Sequence, residues 1–168
     1  MNSRDTSVDK EGNSVTSSVQ ALILVGGKGT RLRPLTLSAP KPMLPTAGTP
    51  FLTHLLSRIR EAGITDVVLG TSYQAHVFSD HYGDGSDLGL NLTYVTESEP
   101  LGTGGGIRNV YEKLRADTVM VFNGDVLGGT DLTGILKAHH DKDADLTMHL
   151  VRVPDPRAFG CVPTDADG

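Results

Sequence analysis

The chain has 168 residues, 38% of them hydrophobic, with a formal net charge of −5 and a single cysteine. That apolar content can build one buried core, no apolar run approaches the ~20 residues of a membrane span, and a lone Cys161 excludes an intramolecular disulfide. The polar N-terminus lacks the apolar stretch of a secretory signal, so a soluble protein of the reducing cytoplasm is expected. Cys161 reads as small apolar filler, since no base accompanies it as it would a nucleophile.

Residues 1–18 are mostly Ser, Thr, Asp, Lys and Gly with scarcely any apolar periodicity. They cannot bury enough surface to offset the entropy of ordering, so a flexible tail is expected before a domain over 19–168. The run Leu22-Ile23-Leu24-Val25 then breaks into Gly26-Gly27-Lys28-Gly29, the pattern of a buried strand ending where backbone must approach something closely. From Gly26 to Pro50 there are four cations, Lys28, Arg31, Arg33 and Lys41, and no Asp or Glu. A cationic glycine turn in an acidic chain is a local anion site, and phosphate is the anion it suits. A nucleic-acid footprint would be broader. Two familiar phosphate loops are excluded: Gly27-Lys28 is followed by Gly29 where a Walker A loop needs Ser or Thr, and the third glycine of a dinucleotide fingerprint would fall on Leu32.

Further along, Thr49 as cap and Pro50 at the first helical position open a helix, with Leu52, Leu55, Leu56 and Ile59 at helical spacing and Gly63 at its end. His54 on this helix reads as a satisfied histidine. A short buried strand over 66–70 and a helix over 74–82 stopped by Gly83 come next. The acids in 83–89 miss calcium-loop spacing, and His76 and His81 match neither a zinc motif nor a triad. A strand over 90–95 runs into Glu97-Ser98-Glu99-Pro100-Leu101-Gly102-Thr103-Gly104-Gly105-Gly106. These glycines let a flat ring or a phosphate come near backbone, with Thr103 as cap for a helix reaching about 114 and Ile107, Val110, Tyr111 and Leu114 inward. An apolar strand over 118–122 delivers Asn123-Gly124-Asp125, and a helix over 132–140 and a strand over 145–153 complete the pattern. Strands alternating with helices predict an α/β, Rossmann-like fold: a mostly parallel sheet with helices on both faces and right-handed crossovers. Ligands in such folds sit beyond the strands' carboxyl ends, where the segments starting at Gly26, Thr96 and Asn123 all fall.

The spacing Gly26-Gly27-x-Gly29-x-Arg31-Leu32-x-Pro34-Leu35-Thr36, followed by Pro40-Lys41-Pro42, resembles the signature of the sugar-1-phosphate nucleotidyltransferases, the NDP-sugar pyrophosphorylases. The resemblance implies their nucleotide-diphospho-sugar transferase fold and a set of roles. Leu24, Gly26, Gly27, Gly29 and Thr30 would lie against the nucleotide, Arg31 would hold the departing β,γ-phosphates, and Lys41 would offset charge near the α-phosphate. Lys28, at a variable position of the signature, and Arg33 carry no firm role. Glu97, with Pro100, Gly102 and Thr103, matches the family's base-reading loop. Relatives that handle uracil or thymine usually carry Gln at the position of Glu97. A carboxylate only accepts hydrogen bonds and suits the adjacent N–H donors of guanine, so GTP is the expected nucleotide.

Asp125 matches the carboxylate that holds Mg2+, the implied cofactor. The form Glu-Pro-Leu-Gly-Thr-Gly-Gly is similar to guanylyltransferases acting on mannose 1-phosphate or manno-heptose 1-phosphate, so the implied reaction makes a GDP-sugar and pyrophosphate from GTP and a sugar 1-phosphate. The rivals are an enzyme using TTP and glucose 1-phosphate, and a catalytically silent relative that binds nucleotide-sugar to regulate a partner. Family members commonly associate with copies of themselves, and they continue past this length. Their sugar-phosphate lysine and second metal-binding aspartate would lie beyond residue 168. The chain is therefore expected to be the N-terminal nucleotide-binding part, weak in turnover by itself.

Overall fold

Every residue in the middle of β1 (Val19–Leu24) is apolar, and Ala21, Leu22 and Ile23 are fully buried, as a strand covered on both faces requires. The structure is a computed structural model that describes residues 18–27, 29–158 and 160–165. The tail over 1–17 lies outside the described residues; Ser18, placed at its end by sequence, is instead tied to Asp117, whose carboxylate accepts from the Ser18 backbone N–H at 3.2 Å.

After β1, three short 3-10 turns (Thr30–Leu32, Leu35–Leu37, Lys41–Met43) lead to a two-residue antiparallel ribbon of β2 (Pro45–Thr46) and β3 (Thr49–Pro50). α1 (Phe51–Glu61) buries Leu52, Leu55, Leu56 and Ile59, as its periodicity predicts. Its cap differs from expectation: Pro50 is the N-cap and Thr49 is drawn into the ribbon. The Thr49 hydroxyl lies 3.1 Å from His54 Nε2, and the same nitrogen is 2.8 Å from the Thr46 carbonyl. His54 is thus satisfied locally. β4 (Asp66–Thr71), α2 (Ala75–Tyr82), β5 (Asn91–Thr96), α3 (Gly102–Val110) and β6 (Thr118–Asn123) follow.

The four long strands form one all-parallel sheet in the order β5-β4-β1-β6. The connections through α1 and α2 step outward from β1, and the one through α3 returns across the sheet to β6. Right-handed crossovers therefore set α1 and α2 on one face and α3 on the other. On the α3 face Leu22, Val68 and Val110 form a buried cluster with Leu24, Val95, Ile107, Leu114 and Val119 packed against it. The direction of winding reverses between β1 and β6, and a ligand crevice opens at such a reversal.

Further sequence expectations are corrected. α3 starts at Gly102 with Leu101 as N-cap and no side-chain cap, so Thr103 lies inside the helix. Beyond Val110 the chain tightens into a 3-10 turn, the 3.6-residue period lapses, and Tyr111 is 73% exposed rather than inward. Cys161 is exposed, not core filler.

The described residues divide into two compact units after Gly129. In the second, α4 (Leu132–Asp141) is capped by Asp131, whose carboxylate accepts from the Gly134 N–H at 3.0 Å and the Thr133 hydroxyl at 2.7 Å. Those bonds hold the Asp131 carboxyl below its ordinary range. The strand expected over 145–153 does not form: Leu146 and Val151 are 76% and 71% exposed, and no ladder involves them among the described residues. Apolar alternation supplies a strand's face, but a strand persists only against a partner's N–H and C=O groups. No helix among the described residues is long and apolar enough to cross a membrane.

Candidate nucleotide and metal site

The sheet's ladders run on past its strands, and this delivers the site. Val25 N donates to Gly70 O at 2.9 Å and Gly124 N to Leu24 O at 2.9 Å, so β1 and β6 stay in register up to the residues that leave the sheet. A Cβ on Gly124 would stand 2.5 Å from Val25 Cγ1, so only glycine fits there. Asp125, the next residue, lines the crevice, as Asn123 does.

The glycine turn is shaped by its neighbours. Gly27 has φ of 116° and donates its N–H to Ser72 Oγ at 3.2 Å. Gly29 has φ of 56°, and a Cβ there would meet the Thr36 methyl at 2.9 Å. The Thr36 hydroxyl, from a residue 2% exposed, donates to Gly29 O at 2.9 Å. Lys41 opens the 3-10 turn whose Pro42 and Met43 are buried, which anchors the lysine's backbone while its amine reaches the crevice. There Lys41 Nζ pairs with Asp125 Oδ2 at 2.7 Å, both side chains about two-fifths exposed at 38% and 43%.

On the other side of β1, Glu97 extends β5 by donating its N–H to Thr71 O at 2.8 Å. Its half-buried carboxylate lies over the start of α3, where Oε2 accepts from the Leu101 N–H at 3.4 Å. A Cβ on Gly106 would come within 2.8 Å of Oε1, so the missing side chain leaves the carboxylate its place.

One cleft of about 780 Å³ collects these groups. Of the residues singled out by sequence, Leu24, Gly26, Gly27, Gly29, Arg31, Lys41, Glu97, Pro100, Gly102, Thr103 and Asp125 line it; Thr30 does not. Lys28 lies outside the described residues. Asn123 and Glu99, from segments expected at the site but given no role of their own, also line the cleft, and so do Ser72 and Tyr73, which were not anticipated. Ser72 and Tyr73 follow directly on β4, so the rule that ligands gather at strand ends could have found them once β4 was placed beside β1.

The chemistry of the cleft is divided. One end offers the glycines of the turn with Arg31 and Lys41, which suits a polyanion. The other end offers Glu97, an acceptor-only group for N–H donors. Between them Asp125 already has an ammonium in contact, so it is shaped to take a cation. No group of three metal-ligating side chains occurs among the described residues. A single carboxylate fits Mg2+, which binds through one or two carboxylates and completes its shell with phosphate oxygens and water.

Fold and cleft together define an α/β protein with a crevice, lined by Arg31 and Lys41, at the point where the winding of its sheet reverses. The chain belongs to the Nucleotidyl transferase family, which matches residues 20–168. It is 70% identical over 152 residues to the mannose-1-phosphate guanylyltransferase of Mycobacterium tuberculosis, a match that covers 90% of this chain and 42% of that relative. It is 36% identical to the D-glycero-alpha-D-manno-heptose 1-phosphate guanylyltransferase of Aneurinibacillus thermoaerophilus, covering 87% of this chain and 63% of the other. Among solved structures, HddC from Yersinia pseudotuberculosis complexed with GMP-PN superposes with a TM-score of 0.65 at 33% identity, over 73% of this chain and 54% of that one. The chain thus spans less than two thirds of the relatives it matches.

Proposed function

We propose that the chain is the nucleotide-binding part of a mannose-1-phosphate guanylyltransferase, which joins GTP and mannose 1-phosphate into GDP-mannose and releases pyrophosphate. The observation that carries this reading is the convergence of Arg31, Lys41, Glu97 and Asp125 on one cleft. The identity to the mycobacterial relative supports the choice of sugar, and Glu97 supports the choice of base.

A phosphate oxygen of the sugar 1-phosphate attacks the α-phosphorus of GTP, and the bond from that phosphorus to the β-phosphate oxygen breaks. No protein nucleophile is needed, so catalysis is positioning and charge stabilisation. Arg31 and the turn's N–H groups take the charge growing on the leaving pyrophosphate. Lys41 moves from Asp125 to the α-phosphate, where its ammonium offsets charge as the new bond forms. Asp125, so released, would hold Mg2+, which when bound neutralises phosphate charge. Retention of Arg31, Lys41 and Asp125 together favours an enzyme over a silent regulatory relative.

Isothermal titration with GTP, TTP, UTP, CTP and ATP in the presence of Mg2+ tests the reading. GTP is expected to bind at least about tenfold more tightly than the others, the discrimination of one charge-assisted base contact, and Glu97→Gln should narrow that margin. TTP or UTP binding as well as GTP would sink the base assignment.

A further inference from the structure

Two hydroxyls outside the proposed catalytic set close on the glycine turn from opposite sides. On one side Ser72 Oγ takes the Gly27 N–H at 3.2 Å and lies 3.0 Å from where a Cβ on Gly26 would stand. On the other, Thr36 donates its hydroxyl to Gly29 O at 2.9 Å and presses its methyl to where a Gly29 Cβ would stand. Main-chain bonding at the turn includes Leu32 N to Gly29 O at 3.0 Å, so the Thr36 hydroxyl adds a second bond to that carbonyl. Main-chain pairing with β4 stops at Val25, and the glycines that let phosphate approach also give the backbone the widest choice of conformations. Thr36 could have spent its hydroxyl inside its own 3-10 turn, yet it reaches back seven residues to the glycine carbonyl.

We propose that Ser72 and Thr36 are positioning residues that hold Gly26, Gly27 and Gly29 in the shape that receives a triphosphate. This deepens, and rests on, the nucleotide reading above. Removing either hydroxyl leaves Arg31 and Lys41 in place, but the turn must then be ordered at the moment of binding, and that cost comes out of affinity. The loss should follow the phosphates that the turn faces and spare the base.

The test is isothermal titration of the 168-residue chain with GTP plus Mg2+ and, separately, with GMP. Wild type is compared with Ser72→Ala, Thr36→Val, Thr36→Ser and Arg31→Ala. Ser72→Ala and Thr36→Val are expected to weaken GTP binding about tenfold each, the scale of one hydrogen bond, with GMP affinity unchanged and Thr36→Ser restoring the wild-type value. GTP affinity unmoved in both variants, while Arg31→Ala loses it, overturns the positioning role and leaves the nucleotide reading standing. GTP affinity unmoved in Arg31→Ala as well brings down the reading itself. Equal loss of GTP and GMP in Thr36→Val, unrelieved by Thr36→Ser, assigns Thr36 to folding alone and overturns its part of the proposal.

Discussion

The Lys41–Asp125 pair sets the resting state of the cleft. At 2.7 Å the ammonium is in contact with the carboxylate proposed to hold a divalent ion, so on that proposal cation and metal would compete for the same oxygens. Both partners are about two-fifths exposed, and such a pair contributes little to stability; its effect is on occupancy. Lys41→Met should therefore raise the affinity of the nucleotide-free chain for Mn2+, a paramagnetic substitute for Mg2+, read by electron paramagnetic resonance as a fall in free Mn2+. Equal or weaker Mn2+ binding in the variant would show that the ammonium does not compete. For Arg31 the expectation runs the other way. If it clamps the β,γ-phosphates, Arg31→Ala should cost GTP affinity by a factor on the order of 100, the scale of a lost charge-assisted contact, and titration calorimetry would show near-wild-type binding if the assignment is wrong. At this scale the sequence was most legible. Glycines, cations and carboxylates declare their chemistry through type and spacing, so many of the residues that line the cleft were named beforehand, whereas Thr30 does not line it and Ser72 and Tyr73 were missed. Ser72 and Thr36 declared less, because a hydroxyl's role depends on which backbone group the fold brings to it.

Among elements, type was legible and termini were not. The four parallel strands and the helices between them follow from apolar runs and 3.6-residue spacing, which report burial directly. Caps depend on competition for a few hydrogen-bonding groups. Thr49 had the composition of a cap, but the β2–β3 ribbon and His54 claimed it; Thr103 had it too, but α3 begins one residue earlier. The segment over 145–153 has a strand's alternation and no partner among the described residues, a fact about the rest of the sheet that no local pattern carries. One junction between elements is also sensitive to pH. Tyr94 on β5 donates its hydroxyl to Gly83 O, at the end of α2, at 2.8 Å. Burial first, then the nearby Tyr82 and Asp84, push its phenol up to about 12 from the ordinary 10.0. A raised folded-state value means the neutral phenol stabilises the fold fully below pH 10 and that this contribution fades as pH rises toward 12. The urea midpoint should fall across that window, and less steeply in Tyr94→Phe. Parallel curves for the two proteins would clear Tyr94 of the effect.

For the molecule as a whole, the reversal of winding between β1 and β6 decides what the parts can do together. Gly26 and Asp125 are 99 residues apart in sequence, yet the register that pairs Leu24 with Asn123 sets the turn and the carboxylate side by side. Glu97 arrives from β5, two strands away on the other side of β1, so the end of the cleft with Arg31 and Lys41 and the end with Glu97 are separated by the width of the sheet's centre. A ligand that bridges them would tie the 97–106 segment to the other two, 24–42 and 123–125, which already meet through Lys41 and Asp125. GTP with Mg2+ should therefore slow amide exchange at once in three separated segments, 24–42, 97–106 and 123–125, by a common factor set by occupancy. At a free concentration of about 100 Kd the ligand adds about 2.7 kcal/mol to the opening free energy of each group that must open to release it, close to a hundredfold slowing. Hydrogen exchange read by mass spectrometry resolves the three segments. Protection confined to 24–42 would mean that phosphate is held without the base or the carboxylate being engaged, and the single-cleft account would give way to a simple anion site.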